Sequence, residues 1–467
     1  MLSQRLMHID YGKQGFLILL LASLMVVCVE AIRPDSTLWT DSQSTDLQTQ
    51  KDTLDDFHRA VVERSPSLHG AESWEILPAE QEVFANLESP LSRFFGALNL
   101  SSSRKSKVRI AYFGDSMIEG DLITQTLRNE LQKMFGGQGV GFVPITSNTY
   151  SFRKSIWHRF SKDWRSFNFL KSNREDFGIS GELFLASQKP IEEQENLKTW
   201  VRYQGSDMYP TTKTFDRISL FYGKPTDTLY SEQPAFVEIR VEDKKDTLYL
   251  DPSYAVNQIS LTQEPVENIE LRFSIPKNLP VYGLNFESDS GIHLDNFSSR
   301  GSSGQDLVEI PDEMMRQFHH HLEYDLVVLH FGVNVTSANR TNFDSYEEGM
   351  KRVIEHIRQS MPGTDILMVS VGDRGIKLNG RWQTDPSVPL VLEAQRRVAQ
   401  EMDVSFLDLY RSMGGKNTMV RWVARDWAIH DHVHTTRRGA RKIAGILKDY
   451  LMSQYEDFDV EPMQASR

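Results

Sequence analysis

The chain has 467 residues, too many for one ordinary domain, and 39% hydrophobic against 25% charged residues supplies enough apolar material for a sizeable core. Acidic side chains outnumber basic ones, 64 to 52, for a net charge of −12, which argues against nucleic acid as a partner because its backbone must be met by a basic surface. The single cysteine, Cys28, excludes disulfides and thiolate metal sites from the rest of the chain. No second apolar run approaches about 18 residues, so a multi-span membrane protein is excluded too.

Phe16 to Val29 is an apolar run broken only by Ser23, behind a short segment carrying Arg5 and Lys13. That is the layout of a secretory signal, and Val29-Glu30-Ala31 offers a small-residue cleavage site. Residues 1–31 are therefore read as a cleaved signal peptide or as a retained signal anchor. A lipoprotein reading through Cys28 is disfavoured by Val27, which stands where a small residue is wanted. Each reading places the body outside the cytoplasm, in a periplasm or cell envelope. A large exported chain without disulfides fits a bacterial envelope.

Residues 32–80 are polar and read as a spacer, with some helix around Leu54 to Val62. A first helix is expected over Leu87 to Leu98, and VRIAYF at Val108 to Phe113 reads as a buried strand. Ile123, Leu127, Leu131 and Met134 give the segment from Asp121 to Phe135 a helical apolar stripe, ended by a glycine run through Gly141. Short alternating runs follow: Glu182–Ala186, Thr199–Tyr203, Arg217–Phe221, Phe236–Val241, Thr247–Leu250, Gln258–Thr262 and Ile269–Ile275. Their spacing predicts a β-sandwich over 151–284. Strands then alternate with helices again: Ile292–Phe297, Leu326–Phe331, Ile366–Val371 and Val404–Leu409 against Tyr346–Ser360, Val388–Glu401 and Thr436–Leu451. The predicted fold is an α/β domain with a mostly parallel sheet, formed by 81–150 and 285–455 and interrupted by the inserted sandwich, with a polar tail at 456–467.

Four short blocks fall where chemistry is done in such a fold. Gly114-Asp115-Ser116 sits between a buried strand and a helix, at the carboxyl end of the sheet where ligands bind. A serine nucleophile there needs a base and an orienting carboxylate, and Asp431-His432-Val433-His434 offers both in one loop. Asn334 ends another core strand and carries an amide suited to an oxyanion, while Gly301 lies in a loop where a backbone N–H can approach closely. Taken singly, each reads as an ordinary turn or helix cap. The alternate histidines His430, His432 and His434 and the run His319-His320-His321 lack the accompanying acidic or cysteine cluster of a metal site, so no metal and no cofactor is expected.

The ordered set Gly-Asp-Ser, Gly301, Asn334 and Asp431-x-x-His434 resembles the SGNH (GDSL) hydrolase superfamily over roughly residues 85–150 and 285–452. Within it, the stretch Gly114 to Asp121, the following glycines and the inserted sandwich resemble bacterial peptidoglycan and carbohydrate O-acetylesterases and envelope proteins of Bacteroidetes type. The resemblance implies a three-layer, flavodoxin-like α/β/α domain with Ser116 as nucleophile, His434 as base and Asp431 as its orienting acid. It implies an oxyanion hole from the Ser116 and Gly301 N–H groups and the Asn334 side chain, with Gly304 as a rival to Gly301. It also implies an O-acylated polysaccharide as substrate. The sequence departs from the family at Val335, where an acidic residue is usual after the asparagine.

Asp115, Asp373 and Arg374, with Trp382, are further candidates for contacting substrate at the rim of the site. Aromatic residues of the inserted region, among them Trp157, Trp164, Trp200, Tyr203 and Phe221, suit either a sugar platform or a sandwich core. Three functions stay open: an extracytoplasmic carbohydrate O-acetylesterase, an O-acetyltransferase working with a membrane acyltransferase partner, and a non-catalytic glycan-binding protein.

Overall fold

The β-branched and aromatic run after Lys107 forms the second strand of a five-stranded sheet, with alternate side chains on opposite faces. The computed structural model describes residues 89–187, 197–225, 234–262 and 264–464; the signal segment, Cys28, the spacer with its expected helix and the start of the first helix lie outside them. In chain order the elements open with α1 (Ser92–Arg104), β1 (Lys107–Gly114), a 3-10 turn at Glu119–Asp121 and α2 (Thr124–Phe135). Eleven strands come next: β2 (Gly141–Pro144), β3 (Ile156–Phe160), β4 (Trp164–Asn168), β5 (Glu182–Ala186), β6 (Trp200–Gly205), β7 (Arg217–Tyr222), β8 (Phe236–Val241), β9 (Lys244–Tyr249), β10 (Asn257–Ser260), β11 (Asn268–Ser274) and β12 (Val281–Glu287). Then follow β13 (Gly291–Ser298), α3 (Asp312–Leu322), β14 (Leu326–His330), α4 (Asp344–Ser360), β15 (Asp365–Val369), the hairpin β16 (Gly375–Leu378) and β17 (Arg381–Thr384), and α5 (Val388–Glu401). The chain ends with β18 (Ser405–Leu407), α6 (Leu409–Met413), α7 (Thr418–Ala424) and α8 (Arg437–Gln464).

The sheet order β13-β1-β14-β15-β18, parallel throughout, is the flavodoxin-like order in which the second strand flanks the first on one side and the third on the other. Ile110, Tyr112, Leu294, Val328 and Leu367 face α1, α2 and α8, whereas Ala111, Phe113, Val327, Leu329 and Met368 face α3, α4 and α5. This is the three-layer α/β/α arrangement. Three expectations need correction. Met134 is 53% exposed, so the stripe of α2 ends at Leu131. The strand expected over Val404–Leu409 stops at Leu407, because the Asp408 carboxylate accepts from the Arg411 N–H and starts α6. The last helix continues through the expected polar tail to Gln464.

The inserted strands form two antiparallel sheets, β10-β7-β12-β5-β4 with β2 also on β12, and β3-β6-β11-β8-β9. Val201, Leu220, Leu271, Leu284 and Phe286 fill the space between them. The sandwich thus takes in β2, which precedes the expected start at residue 151. The outer face of its first sheet rests on α3, where Phe318 stacks on Phe221 at 5.6 Å and meets the Tyr282 ring edge-on at 5.2 Å. The glycines expected to end α2 do more than that. A Cβ at Gly139 would lie 2.2 Å from the Phe286 carbonyl, and one at Gly141 2.1 Å from an Asp295 carboxylate oxygen. Only glycine lets this segment thread between β12 and β13 on its way into the sandwich.

Where the two domains join, three charges are buried together. The Arg109 guanidinium, 2% exposed, donates to Glu287 at the end of β12 and to the Leu322 carbonyl at 2.7 Å, and lies 3.7 Å from Asp295. Asp295 accepts from the Phe142 N–H at 2.9 Å and the Tyr324 hydroxyl at 2.6 Å. Burial alone would raise the Glu287 carboxyl, but Arg109, His293 and Lys107 together outweigh it and hold the group well below the usual carboxylate range. Arg109→Met takes the buried cation from Asp295 and leaves Glu287 with Lys107 alone, and is expected to cost about 3–5 kcal/mol. Guanidinium denaturation of the full chain checks this; an unchanged midpoint would show that the network contributes little.

Candidate active site

The site is built at the carboxyl ends of β1, β13 and β14, where the strand order reverses. β1 runs straight into the turn that presents Ser116. The buried Asp115 carboxylate folds this turn by accepting from the Met117 N–H at 2.9 Å, and the Glu119 N–H closes back on the Ser116 carbonyl at 3.3 Å. Asn296 on β13 pins the next residue by donating to the Ile118 carbonyl at 2.9 Å. The outcome is a half-buried serine on a rigid support.

The second loop lies just before α8. A β-bridge between Ala428 and Thr435 closes it, and Ile429 N–H donates to the His434 carbonyl at 2.9 Å. One Asp431 oxygen accepts from the Val433 and His434 N–H groups at 2.8 and 3.0 Å, and the other sits 2.7 Å from His434 Nδ1. Burial would raise the Asp431 carboxyl, but these bonds from His434 and Val433 outweigh it and hold it below its ordinary value. With Nδ1 committed to the carboxylate, Nε2 faces Ser116 Oγ at 2.8 Å and is left to accept its proton.

The third and fourth blocks converge beside the serine. Ser299 N–H donates to the Gly114 carbonyl at 2.8 Å, which continues β13 along β1, and Ser302 N–H closes a turn on the Ser299 carbonyl at 3.1 Å. Gly301 lies in that turn at φ 89°, exposed. Among the described residues neither its N–H nor that of Ser116 has an acceptor in the protein. The rival Gly304 is buried, its N–H is spent on Ser302 Oγ at 2.9 Å, and a Cβ there would press on the Phe331 ring at 2.8 Å. Asn334 is exposed; one amide hydrogen goes to the Ser302 carbonyl at 2.9 Å, which leaves the other for a ligand. Val335, in place of an acidic residue, is buried and closes its turn on the Gly332 carbonyl at 3.0 Å.

The remaining candidates support the loops rather than face the cleft. Asp115 is 1% exposed and Asp373 3%. Asp373 accepts from Thr384 Oγ1 at 2.8 Å and the Met419 N–H at 2.7 Å, tying the β16–β17 hairpin to α7. Arg374 donates to the Thr336 carbonyl at 2.9 Å and so braces the Asn334 loop. The reading of Asp115 and Asp373 as substrate contacts is therefore corrected, because both carboxylates are buried and engaged inside the scaffold, whereas Arg374 is partly exposed and commits its Nη1 to the Thr336 loop. Trp382 is exposed on one face and stacks by the other on His432 at 3.8 Å, and the Gly375 N–H donates to the His432 carbonyl at 2.8 Å, so the hairpin steadies the Asp431–His434 loop. Among the described residues no group of three or more His, Cys, Asp or Glu side chains could hold a metal ion.

A cleft of about 740 Å³ opens beside the serine loop and runs along the sandwich. Glu119 and Arg300, ion-paired to each other, line its near end, while Tyr150, Phe152, Lys171 and Glu182 line its sandwich side. The aromatic residues weighed from the sequence mostly belong to the core: Trp164, Tyr203 and Phe221 are buried, whereas Trp157 is exposed outside the cleft. Tyr150 and Phe152 went unnoticed because they lie in a polar, serine-rich loop without periodicity.

Residues 282–442 match the model of the GDSL-like lipase/acylhydrolase family, a stretch that holds Gly301, Asn334, Asp431 and His434 while Ser116 precedes it. The structure is similar to that of a peptidoglycan O-acetylesterase, with a TM-score of 0.64 and 22% identity over 79% of this chain and 97% of that one. An acetyl xylan esterase aligns over 34% of this chain and 81% of its own, with 18% identity and a TM-score of 0.27. A family two carbohydrate esterase from Cellvibrio japonicus aligns over 65% and 99%, with 10% identity and a TM-score of 0.27. No curated protein matches. Residues 282–442 thus form a GDSL-like lipase/acylhydrolase domain, and the fold is the one shared with the peptidoglycan O-acetylesterase.

Burial pushes the Asp115 carboxyl up to about 7, an effect that the Met117 N–H and His434 offset only in part. A raised carboxyl stabilises the fold below its unfolded value, and that contribution is lost as pH rises through the folded one. Asp115→Asn keeps an acceptor for Met117 and is expected to remove a fall in stability between about pH 4 and 7, on the order of a few kcal/mol. Urea denaturation across that range checks the slope; identical slopes in both proteins would contradict it.

Proposed function

We propose that the protein removes O-acyl groups, acetyl above all, from a polysaccharide outside the cytoplasm. The observation that carries this reading is the continuous hydrogen-bonded chain from Ser116 Oγ through His434 to Asp431, facing two backbone N–H groups without protein acceptors. His434 Nε2 takes the hydroxyl proton as Ser116 Oγ attacks the ester carbonyl, and Asp431 steadies the imidazolium. The negative oxygen of the tetrahedral intermediate is met by the N–H groups of Ser116 and Gly301 and the free amide hydrogen of Asn334. His434 then returns its proton to the departing sugar hydroxyl. Water, activated by the same imidazole, attacks the acyl-enzyme and releases the acid.

Acetyl as the acyl group and a polysaccharide as its carrier are supported by the solved structure with the same fold, a peptidoglycan O-acetylesterase. The extracytoplasmic location is supported by the apolar Phe16 to Val29 run behind Arg5 and Lys13. Acetate release from O-acetylated peptidoglycan and acetylated xylan tests the reading. Ser116→Ala is expected to lower kcat by a factor on the order of 10⁴–10⁶, and Asn334→Ala by about 10²–10³ with little change in KM. Turnover that survives Ser116→Ala would sink the assignment of the nucleophile. Acetyl transfer to a glycan acceptor without net acetate release would make the protein a transferase instead.

A further inference from the structure

The cleft along the sandwich has no part in the proton and acyl transfers, yet it opens three residues beyond Ser116 in sequence and one before Gly301. Its volume of about 740 Å³ far exceeds the needs of an acetyl group and lies within the usual range for ligand pockets. Two successive turns, Tyr150 N–H to the Ser147 carbonyl at 3.4 Å and Phe152 N–H to the Thr149 carbonyl at 2.9 Å, project Tyr150 and Phe152 at its edge. These rings are 44% and 57% exposed, in a protein that buries most of its aromatics. Tyr150 is steadied edge-on by Phe160 at 5.4 Å. Phe152 touches both catalytic loops. A Cβ on Gly120 would lie 2.9 Å from that of Phe152, and the Phe152 carbonyl accepts from Arg437, at the start of α8, at 3.4 Å.

The charges around the cleft nearly cancel. Glu119 is paired with Arg300, and the buried Asp121 with Arg128 and Arg153. That leaves Lys171 against Glu182, whose carboxyl burial pushes up to about 7. The rest of the polar lining is neutral: Ser147, Asn148, Ser166 and Asn168. A strongly anionic or cationic polymer finds no complementary field here, whereas a chain of hydroxyl-bearing rings finds aromatic faces, hydroxyls and amides.

We infer that this cleft binds an uncharged sugar chain, stacked on Tyr150 and Phe152, and so leads the acylated residue to Ser116. The inference rests on the esterase reading for its purpose but is tested by binding alone. Full-length Ser116→Ala is titrated calorimetrically with chitohexaose, xylohexaose and hexagalacturonate. An uncharged hexamer is expected to bind, with hexagalacturonate at least about tenfold weaker. Phe152→Ala and, separately, Tyr150→Ala in that background should weaken the uncharged hexamer about tenfold. Trp157→Ala, which removes the exposed aromatic of β3 outside the cleft, should leave it unchanged. Melting temperatures confirm that each variant is folded. Undiminished binding in both cleft variants, loss of binding in Trp157→Ala, preference for hexagalacturonate, or no binding of either uncharged hexamer would overturn the inference. These titrations stand even if the wild type releases no acetate, and their failure beside active acetate release would remove the cleft assignment alone.

Discussion

The buried contact of Arg109 with Glu287 and Asp295 governs how the molecule is put together. Charges in an apolar interior are tolerated only when paired and hydrogen-bonded, so the three can exist only if β1, β12 and β13 meet in one register. That register brings the end of the sandwich back to the sheet it left. A second buried cluster works at the other crossing: Asp121 accepts from Arg128 at 2.8 Å and from Ser155 at 2.6 Å, which joins the serine loop, α2 and the segment leading into β3. Burial would raise Asp121, yet Arg128 and Arg153 hold it to about 2, so the cluster is ionised at neutral pH. Two ionic seams and the α3 contact therefore fix an insertion that could otherwise swing on its two connections.

The site itself is a surface feature with an interior skeleton. Ser116, Gly301 and Asn334 leave three neighbouring strands, and their loops are held from below by groups that face away from solvent. Asp115, Asn296 and Arg374 serve this purpose, each satisfying a backbone group, while Asp373 ties the neighbouring hairpin to α7. The loop after β14 shows how this works without an acidic residue at position 335. Arg374 braces it through Thr336, and Ser387 Oγ accepts from the Ser337 N–H at 2.9 Å. Preorganised donors are effective because their geometry is set before charge develops.

Legibility in the sequence followed periodicity. β5, β8 and α5 match their expected limits, since each is a well-bounded apolar run, alternation or stripe. β12 was missed because it is buried on both faces, so no period of two is visible in VYGLNFE. β3 and β4 escaped notice because their charged and serine positions face outward among few apolar ones. The four blocks of the site could be read because special turns demand particular residues. Sequence could not tell Gly301 from Gly304, a choice that depends on which N–H is already spent. Nor could it tell a carboxylate that faces a ligand from one that folds a loop, as the burial of Asp115 and Asp373 shows.

The hydrogen bond between Ser116 and His434 spans 318 residues, and the whole sandwich lies between its ends. Such a contact is among the most non-local that a chain of this size can make, and its loop-closure cost must be met before it gives anything back. On the ribosome, where N-terminal segments emerge first, Ser116 is made early and waits, without His434, until almost the whole chain has been synthesised. On the proposed mechanism, an unfinished or C-terminally clipped molecule that stops before His434 has no base for Ser116. On that mechanism the topology makes hydrolysis depend on a chain that extends through His434.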